Sequence, residues 1–338
     1  MKKHRIPVED ILECSLCKSK SIKIALNNVK DNIGGMKSYS GNIMKCTDCY
    51  HAFLSPIILP SHLHLAYNDY HTHDKKNLTM SSSASRDMFS MFKEFFSYKY
   101  KRVVTIKGLL IQIISFLIPF SSFFLNRAVR FIEKPSKLNQ LNLLDVGCGR
   151  GDFLLRSEHC GYNSMGIDFD PETVKIACSR GLNARVSEIQ ELPESKLYDA
   201  VTMSHVLEHV KDPILTLNNI FKRIKPGGYF YVATPNFNSA GRRVFKNNWR
   251  GCDVPRHMQF FSTETLRNAL EKVGFNEVVQ VYDLPQSKGI ILSSLNLKYS
   301  DGKSYLDYIK SIKALIDNKF YSINRLEVAV FKCRKSFL

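Results

Sequence analysis

Acidic residues are scarce in this 338-residue sequence. It contains 31 Asp and Glu residues against 48 Lys and Arg residues, which leaves a formal net charge of +17 at pH 7. This balance argues against acidic partners and favours anionic ones, such as nucleic acid, acidic lipid or a phosphorylated substrate. The basic residues are scattered and form no tail, so a generally basic surface without a dedicated anionic partner remains an equal alternative.

Several other features are missing. The polar first residues contain no signal peptide, internal repeats and low-complexity tracts are absent, and Trp249 is the only tryptophan. We therefore expect a cytoplasmic, reducing location, in which the nine cysteines do not form a disulfide framework. A lone tryptophan is more typical of packing than of recognition.

Length and composition accommodate one large domain and one small domain. The hydrophobic fraction of 44% supports a sizeable core. The pattern of residues divides the chain into three predicted parts. These are a small domain over residues 1–60, a helical connector over residues 61–137 and a large domain over residues 138–338.

The large domain opens on a stretch that predicts a strand, a tight turn and a helix. An apolar run, Leu141–Val146, stops at three closely spaced glycines, and an apolar periodic segment restarts at Phe153. Glycines permit positive φ and close approach of a ligand, and the helix that follows directs free N–H groups into the turn. A second predicted strand ends at Asp168, where a carboxylate can accept hydrogen bonds from ribose hydroxyls. The stretch therefore predicts a nucleotide or nucleoside-like ligand, held by Asp145, Gly147, Gly149, Gly151 and Asp168.

Five segments in this order carry a resemblance to a known family. They are LLDVGCGRG, GIDFDP, YDAVTMSHVLEHV, KPGGYFYVATPN and RHMQFFSTETLRNALEKVGF. Together they resemble class I S-adenosylmethionine-dependent methyltransferases, over roughly residues 138–285. The resemblance implies an α/β fold with a Rossmann-like seven-stranded sheet, whose last strand is antiparallel, and S-adenosyl-L-methionine as the cofactor. A doubly wound domain that binds NAD or another nucleotide is the alternative.

The same resemblance assigns cofactor contacts along the chain. It implies that Asp145 orients the cofactor, that Phe169 lies against the adenine, and that Glu188 and Ile189 meet the adenine edge. It also implies that Ser204 and His205 face the methionine part and the methyl group. The two residues that follow one turn later, Glu208 and His209, are expected to stabilise a helix.

Two C-x-x-C pairs in the first 60 residues predict a zinc ribbon. Each pair places two thiolates on one tight turn, and two such turns complete a tetrahedral site of four sulfur atoms. Four cysteine ligands leave no open position, so we expect a structural Zn²⁺ ion. The ribbon braces the fold or helps to hold a substrate, and the sequence does not separate these roles. The predicted ligands are Cys14, Cys17, Cys46 and Cys49.

The connector contains an uncharged apolar segment over residues 108–125. Its length makes it a candidate transmembrane helix, but Pro119 interrupts it near the middle. A single span would also separate the ribbon from the cofactor domain. Two short helices are the favoured interpretation, forming either a lid over the substrate pocket or an element that lies on the inner face of a membrane.

Residues 237–260 are expected to form a loop with five positive charges on the substrate side. Its arginines either form a solvated face or hold an anionic group such as a diphosphate; the substrate candidates are Arg242, Arg243, Arg250 and Arg256. His257 follows, and here the chain is similar to sugar C-methyltransferases, in which a His next to a Glu serves as general base. Arg256 stands where that Glu would be. His257 is the first candidate base and His205 the second; a loop-orienting role for His257 is the alternative.

These features predict a methyltransferase that acts on a sugar, glycan or lipid-linked small-molecule intermediate of cell-surface polysaccharide biosynthesis. The first alternative is an RNA methyltransferase, which the basic surface and the ribbon favour. However, the sequence lacks the Asn/Asp-Pro-Pro-Tyr motif for base amines and a catalytic cysteine motif for pyrimidines. A ubiquinone-type O-methyltransferase is the second alternative, and a non-catalytic scaffold is the third.

Overall fold

The computed structural model describes residues 7–32, 34, 36, 38–67, 106, 127–133, 141–299, 305–319 and 321–337. The apolar segment 108–125 and most of the connector predicted over residues 61–137 lie outside the described residues. Contacts group the chain into two compact units. The first contains Met1–Tyr70, Ser204–Asn218 and Val232–Cys333, and the second contains His71–Met203, Asn219–Tyr231 and Arg334–Leu338.

Seven strands form a mixed sheet in the order β12-β13-β10-β9-β6-β7-β8, and β13 is antiparallel. Strand β6 pairs in parallel with β7 and with β9, and β7 pairs in parallel with β8. The α/β fold class predicted from the sequence is therefore confirmed. The strands are β6 (Asn142–Val146), β7 (Asn163–Asp168), β8 (Ala184–Val186), β9 (Tyr198–Ser204), β10 (Ile224–Pro235), β12 (Asn276–Gln280) and β13 (Val328–Arg334).

Helices alternate with these strands. The first two follow the glycine turn and β7, and Asp170 caps the second by accepting a hydrogen bond from the backbone N–H of Glu172. Ser262 caps the fifth helix, which ends at Gly274 with φ of +111°. The helices are α1 (Asp152–His159), α2 (Pro171–Ser179), α3 (Pro213–Arg223), α4 (Ala240–Phe245), α5 (Thr263–Val273), α6 (Leu284–Tyr299) and α7 (Tyr305–Asp317).

The cysteine-bearing segment belongs to the first unit. Its strands β4, β3 and β2 form an antiparallel sheet with β11, a strand from later in the chain, in the order β11-β4-β3-β2. Strands β1 and β5 form a separate two-stranded sheet. Residues of this segment share one buried cluster with Trp249, Phe260 and Ile291, from later parts of the chain. The ribbon therefore contributes to a larger core. These strands are β1 (Val8–Glu9), β2 (Ile22–Lys30), β3 (Ser40–Cys46), β4 (Ala52–Ser55), β5 (Ile57–Ile58) and β11 (Gln259–Phe260).

Two local expectations were wrong. The region 237–260 is not only loop, since it contains α4, a 3₁₀ turn over Lys246–Asn248 and β11. The segment after β9 is a three-residue 3₁₀ turn, Leu207–His209, and not the start of a helix.

None of the helices within the described ranges is both long and apolar enough to cross a membrane. Segment 108–125 lies outside the described residues, so the lid and membrane-surface hypotheses for it stay predictions.

Candidate active site

The glycine turn after β6 has an open, ligand-accessible backbone. Gly147, Gly149 and Gly151 have φ of +74°, +51° and +80°, where side chains other than glycine are strained. A Cβ atom added at Gly149 would meet nothing within 4 Å, whereas one added at Gly151 would lie 2.4 Å from Leu182. Gly149 therefore offers bare backbone to a ligand, and Gly151 permits close packing beneath the turn.

Asp168 is fixed beside this turn by backbone amides. Its Oδ2 atom accepts a hydrogen bond from the N–H of Gly149 at 2.8 Å, and Oδ1 accepts one from Asp170 at 3.0 Å. Burial raises the pKa of Asp168, although the two backbone donors counteract this effect. A carboxylate held in this way presents its remaining lone pairs in a defined direction. The arrangement fits the ribose of an adenosine, as the sequence predicts.

Asp145 lies at the carboxyl end of β6 but is completely buried. One carboxylate oxygen binds the guanidinium of Arg130 and accepts a hydrogen bond from Thr202 Oγ1 at 2.7 Å. Burial raises the pKa of Asp145, and the charge of Arg130 opposes that rise. The cation that Asp145 faces in this structure is thus Arg130, and a direct cofactor contact for Asp145 stays a prediction.

The adenine-edge candidates follow β7 and β8. Phe169 is 55% exposed, which leaves its ring accessible. Glu188 and Glu191 form a reciprocal capping box around the 3₁₀ turn Ile189–Glu191, and Ile189 is buried. The turn holds the backbone of residues 188 and 189 in place, and their contacts with a cofactor stay predictions.

In the first unit, the segment after β9 forms a cluster of one acid and three imidazoles. His205 has φ of +56°, an unusual conformation for a non-glycine residue that often marks functional sites. Glu208 is only 1% exposed, and its Oε1 lies 3.2 Å from His205 Nδ1 and 4.0 Å from His257 Nε2. Among the described residues, neither carboxylate oxygen receives a hydrogen bond of good geometry. Such an unsatisfied buried carboxylate requires an explanation.

The pKa of Glu208 reflects both its burial and the three imidazoles around its carboxylate. Burial raises it, but the imidazoles of His205, His209 and His257 outweigh burial and bring the pKa to about 2. The carboxylate is therefore ionised at neutral pH. Burial lowers the pKa of His257 to about 4, and the neighbouring His209 acts in the same direction. His257 is consequently neutral at neutral pH and keeps one nitrogen lone pair.

Backbone carbonyls determine which nitrogen carries the proton on two of these imidazoles. His257 Nδ1 lies 2.9 Å from the carbonyl oxygen of Gly251, and His209 Nδ1 lies 3.0 Å from that of Arg256. A carbonyl only accepts hydrogen bonds, so each Nδ1 is the protonated donor. The lone pair of the neutral His257 ring is therefore on Nε2.

Arg256 is occupied by the protein itself. Its guanidinium is fully buried and donates to Asp31 at 2.8 Å and to Asp253 at 2.8 Å. Burial lowers the pKa of Arg256, but these carboxylates outweigh it and raise the pKa above its usual value. Arg250 also pairs with Asp253, at 2.9 Å. The two carboxylates thus account for the buried Arg256 without an anionic substrate.

The other two arginines predicted to bind substrate are in α4. Arg242 places its guanidinium 4.3 Å from the centre of the Phe237 ring, and burial lowers its pKa. Arg243 donates to the side chain of Asn238 at 3.0 Å. Substrate binding by these residues stays a prediction. Trp249 is buried and donates its Nε1–H to Glu327 at 2.6 Å, as expected for a packing role.

The four cysteines of the ribbon converge. Their Sγ atoms all lie within 4.8 Å of one another, with separations of 3.4 Å for Cys14 and Cys49 and 3.6 Å for Cys17 and Cys46. Tetrahedral Zn–S bonds of about 2.3 Å place sulfur atoms about 3.8 Å apart. The residue after each pair, Lys18 or Tyr50, has φ of +62°. The donor set and the two matching turns fit a zinc ion.

Gln259 links this ribbon to the acid–imidazole cluster. Its side-chain oxygen accepts from Ser15 Oγ at 2.7 Å and contacts His51 Nε2 at 3.0 Å. Its amide nitrogen donates to the carbonyls of Val210 and Lys211, both at 3.1 Å. The backbone N–H of Met258 also donates to the carbonyl of Glu208. The ribbon therefore braces the segment that carries Glu208.

The sequence predicts His205 and His257 as candidate bases but does not connect Glu208 and His209 with them. The signal was present: the Glu next to His257 was expected at position 256, and the motif HVLEHV contains an acid between two histidines. Nothing in the local pattern shows that this acid faces His257. In the structure, the carboxylate near His257 is that of Glu208, which comes from a different segment of the chain.

Comparisons with known proteins agree with the fold. A family model described as a methyltransferase domain matches residues 118–281, just under half of the chain. The ubiquinone biosynthesis O-methyltransferase of Nitrosospira multiformis is 32% identical over 116 residues, which cover 32% of this chain and 48% of that protein. The protein of the same description from Xanthomonas oryzae pv. oryzae is 35% identical over 102 residues, covering 28% and 43%. The chain thus spans about half the length of these curated relatives or less.

Solved structures are also similar. A methyltransferase from Thermotoga maritima, described as S-adenosylmethionine-dependent and a possible histamine N-methyltransferase, is 19% identical with a TM-score of 0.42, covering 73% of this chain and all of that chain. The phosphoethanolamine N-methyltransferase 2 of Haemonchus contortus, in complex with S-adenosyl-L-methionine, is 16% identical with a TM-score of 0.45. It covers 84% of this chain and 64% of that chain. The sheet order, the antiparallel β13 and the glycine turn agree with the match of residues 118–281 to a methyltransferase domain.

Proposed function

We propose that this chain transfers a methyl group from S-adenosyl-L-methionine to a hydroxyl group of a sugar, glycan or lipid-linked small molecule. The observation that carries the proposal is the buried Glu208 carboxylate beside His205 and His257. Methyl transfer to a hydroxyl needs a group that removes the hydroxyl proton, and an ionised acid beside the neutral imidazole of His257 supplies one. Activity, substrate and partners of the whole protein are part of this proposal.

The proposed reaction moves one methyl group from the cofactor sulfur to the acceptor oxygen. When bound, the cofactor supplies a methyl carbon on a positively charged sulfur. A lone pair of the acceptor oxygen forms the new O–C bond as the S–C bond breaks, and the electron pair of that bond remains on sulfur. The hydroxyl proton passes to the acid–imidazole cluster, for which His257 and His205 are the candidate acceptors. The rest of the catalysis is positioning of the two reactants.

Sugar or lipid-linked acceptors are supported by the chain's charge and by the apolar stretch. A net charge of +17 favours a phosphorylated carrier, and segment 108–125 suits contact with a lipid tail or a membrane surface. Arg242 and Arg243 are the arginines proposed to meet a phosphate. A ubiquinone-type acceptor is the second candidate, because the curated relatives described above are O-methyltransferases of ubiquinone biosynthesis.

Label transfer tests this function. We expect purified protein with methyl-labelled S-adenosyl-L-methionine to label a lipid and nucleotide-sugar extract of the source organism but not its total RNA. His257→Ala is expected to lower the rate at least ~100-fold, since a general acid–base group contributes ~10²–10⁴-fold. His64→Ala, which changes an exposed histidine, is the matched control and keeps the rate. Label confined to RNA would overturn the proposal in favour of an RNA methyltransferase.

We also propose that the four ribbon cysteines hold a structural Zn²⁺ ion. Replacing Cys46 and Cys49 with alanine is expected to remove one zinc per chain, measured by mass spectrometry of the metal. The free energy of unfolding is expected to fall by at least ~3 kcal/mol, because structural zinc contributes directly to folding. Cys178→Ala, an exposed cysteine outside both pairs, is the control. Equal zinc content in all three proteins would contradict the assignment.

A further inference from the structure

The acid–imidazole cluster has the composition of a cation site. Glu208, His209 and His257 each offer one ligand atom, and these atoms lie within 4.8 Å of one another. Within the described ranges, the ribbon cysteines form the other such group. A cation with ligand bonds of about 2.1 Å spans atoms up to about 4.2 Å apart, so side-chain movements below about 1 Å close the site.

Two features distinguish this cluster from an ordinary buried ion pair. The first is the carboxylate: Glu208 is buried with neither oxygen in a hydrogen bond of good geometry among the described residues. A buried charge of this kind is stable when it is paired or coordinates a metal. Its contact with His205, at 3.2 Å, involves one oxygen only.

The second feature is the orientation of the two imidazoles. Nδ1 of His257 faces the carbonyl of Gly251, and Nδ1 of His209 faces the carbonyl of Arg256 and the Tyr67 hydroxyl, at 3.0 and 3.2 Å, so Nε2 is the nitrogen of each ring without these contacts. Metal-binding histidines usually donate the second ring N–H to a carbonyl or carboxylate in this way. The rings stand nearly perpendicular, at 77°, with their centres 4.7 Å apart. The two nitrogens thus belong to differently oriented, separately anchored rings.

We propose that Glu208, His209 and His257 bind a divalent first-row transition cation whose open coordination positions take the acceptor hydroxyl. Two histidines and one carboxylate leave coordination positions free, and this donor set suits Zn²⁺, Mn²⁺, Fe²⁺ or Co²⁺. The cation-binding part stands on geometry alone, while the role of the cation rests on the methyl transfer proposed above.

A cation held there would make a bound hydroxyl more acidic, and its charge and oxidation state would not change. The acceptor oxygen forms the new O–C bond as the S–C bond breaks, and the electrons of the S–C bond stay on sulfur. Since Nε2 of His257 is a ligand in this arrangement, His205 is the remaining one of the two candidate acceptors named above, and its Nδ1 lies 3.2 Å from Glu208.

Manganese binding tests the site independently of activity. Full-length protein with its ribbon zinc in place is titrated with Mn²⁺, and bound ion is followed by electron paramagnetic resonance. We expect one Mn²⁺ per chain with nuclear couplings to imidazole ¹⁴N. Glu208→Gln and, separately, His209→Gln are expected to weaken binding at least 10-fold, and His64→Ala is expected to have no effect. Retained S-adenosylhomocysteine binding verifies that each variant is folded.

The outcomes separate the site from the proposed function. No Mn²⁺ binding, or binding without ¹⁴N coupling that is equal in all variants, overturns the cation site. Methyl transfer that persists unchanged after removal of this metal, with the ribbon zinc still measured, overturns the role of the cation and leaves the proposed function intact. Site-specific Mn²⁺ binding without transfer to any acceptor pool supports the site and contradicts the proposed function.

Discussion

Replacing Asp168 with asparagine is expected to weaken binding of S-adenosylhomocysteine at least ~100-fold. The carboxylate is held by the N–H groups of Gly149 and Asp170, and its remaining lone pairs are the ones predicted to meet the ribose. An asparagine amide would set an N–H donor against one of these donors or against a ribose hydroxyl. Hydrogen bonds to charged groups are worth ~1.5–3 kcal/mol each, so losing two corresponds to a factor of ~100 or more. Isothermal titration calorimetry measures the change.

The control for this prediction is Glu172→Gln, in the exposed first turn of α2. The Glu172→Gln variant changes a carboxylate near Asp168 but leaves the glycine turn unaltered. This variant is expected to bind S-adenosylhomocysteine with unchanged affinity. The unfolding midpoint of both variants shows whether the fold is retained. If Asp168→Asn binds within threefold of the unaltered protein, then Asp168 does not contact the ribose.

Replacing Arg256 with methionine is expected to lower the free energy of unfolding by ~3–5 kcal/mol. The guanidinium lies between Asp31 and Asp253, and all three side chains are completely buried. Burial raises the pKa of Asp253, but the neighbouring His257, Arg250 and Arg256 outweigh it and hold the pKa well below its usual value. Removing Arg256 would leave two buried carboxylates without their main cation, which is strongly destabilising. Chemical denaturation measures the loss.

Two further variants sharpen this prediction. Arg180→Met breaks an exposed ion pair with Asp152 of similar length, 2.7 Å, and is expected to cost less than ~1 kcal/mol. Adding Asp31→Asn and Asp253→Asn to Arg256→Met removes the two carboxylates that lose the Arg256 guanidinium and is expected to recover part of the stability. A loss for Arg256→Met no larger than that for Arg180→Met would contradict a role for the buried trio in stability.

The methyltransferase core was predictable because its signals are local. The apolar run of β6, the glycines at positive φ and the strand that ends at Asp168 lie within about 30 consecutive residues. Strand period, turn chemistry and helix caps act between near neighbours, so the sequence pattern carries them directly. The two C-x-x-C pairs are local in the same sense, since each pair defines its own turn.

Parts of the second half were not predictable for the opposite reason. Helix α6, Leu284–Tyr299, was missed, and the short 3₁₀ turn at Glu208 was taken for a helix. Arg256 was expected to face substrate, whereas its partner Asp31 lies 225 positions away. Helical periodicity and charge counts do not report which distant side chain will be buried beside which.

By itself, the sequence determined the α/β class, the order of the strands around the glycine turn, the position of Asp168 and the four cysteines that converge. Each follows from backbone preferences and spacing over a few residues. Only the tertiary structure decided that Glu208, His209 and His257 meet, that Gln259 ties their segment to the ribbon, and that Arg256 is neutralised inside the protein. These contacts join segments far apart in the chain, and burial of the shared core, which no local pattern encodes, brings them together.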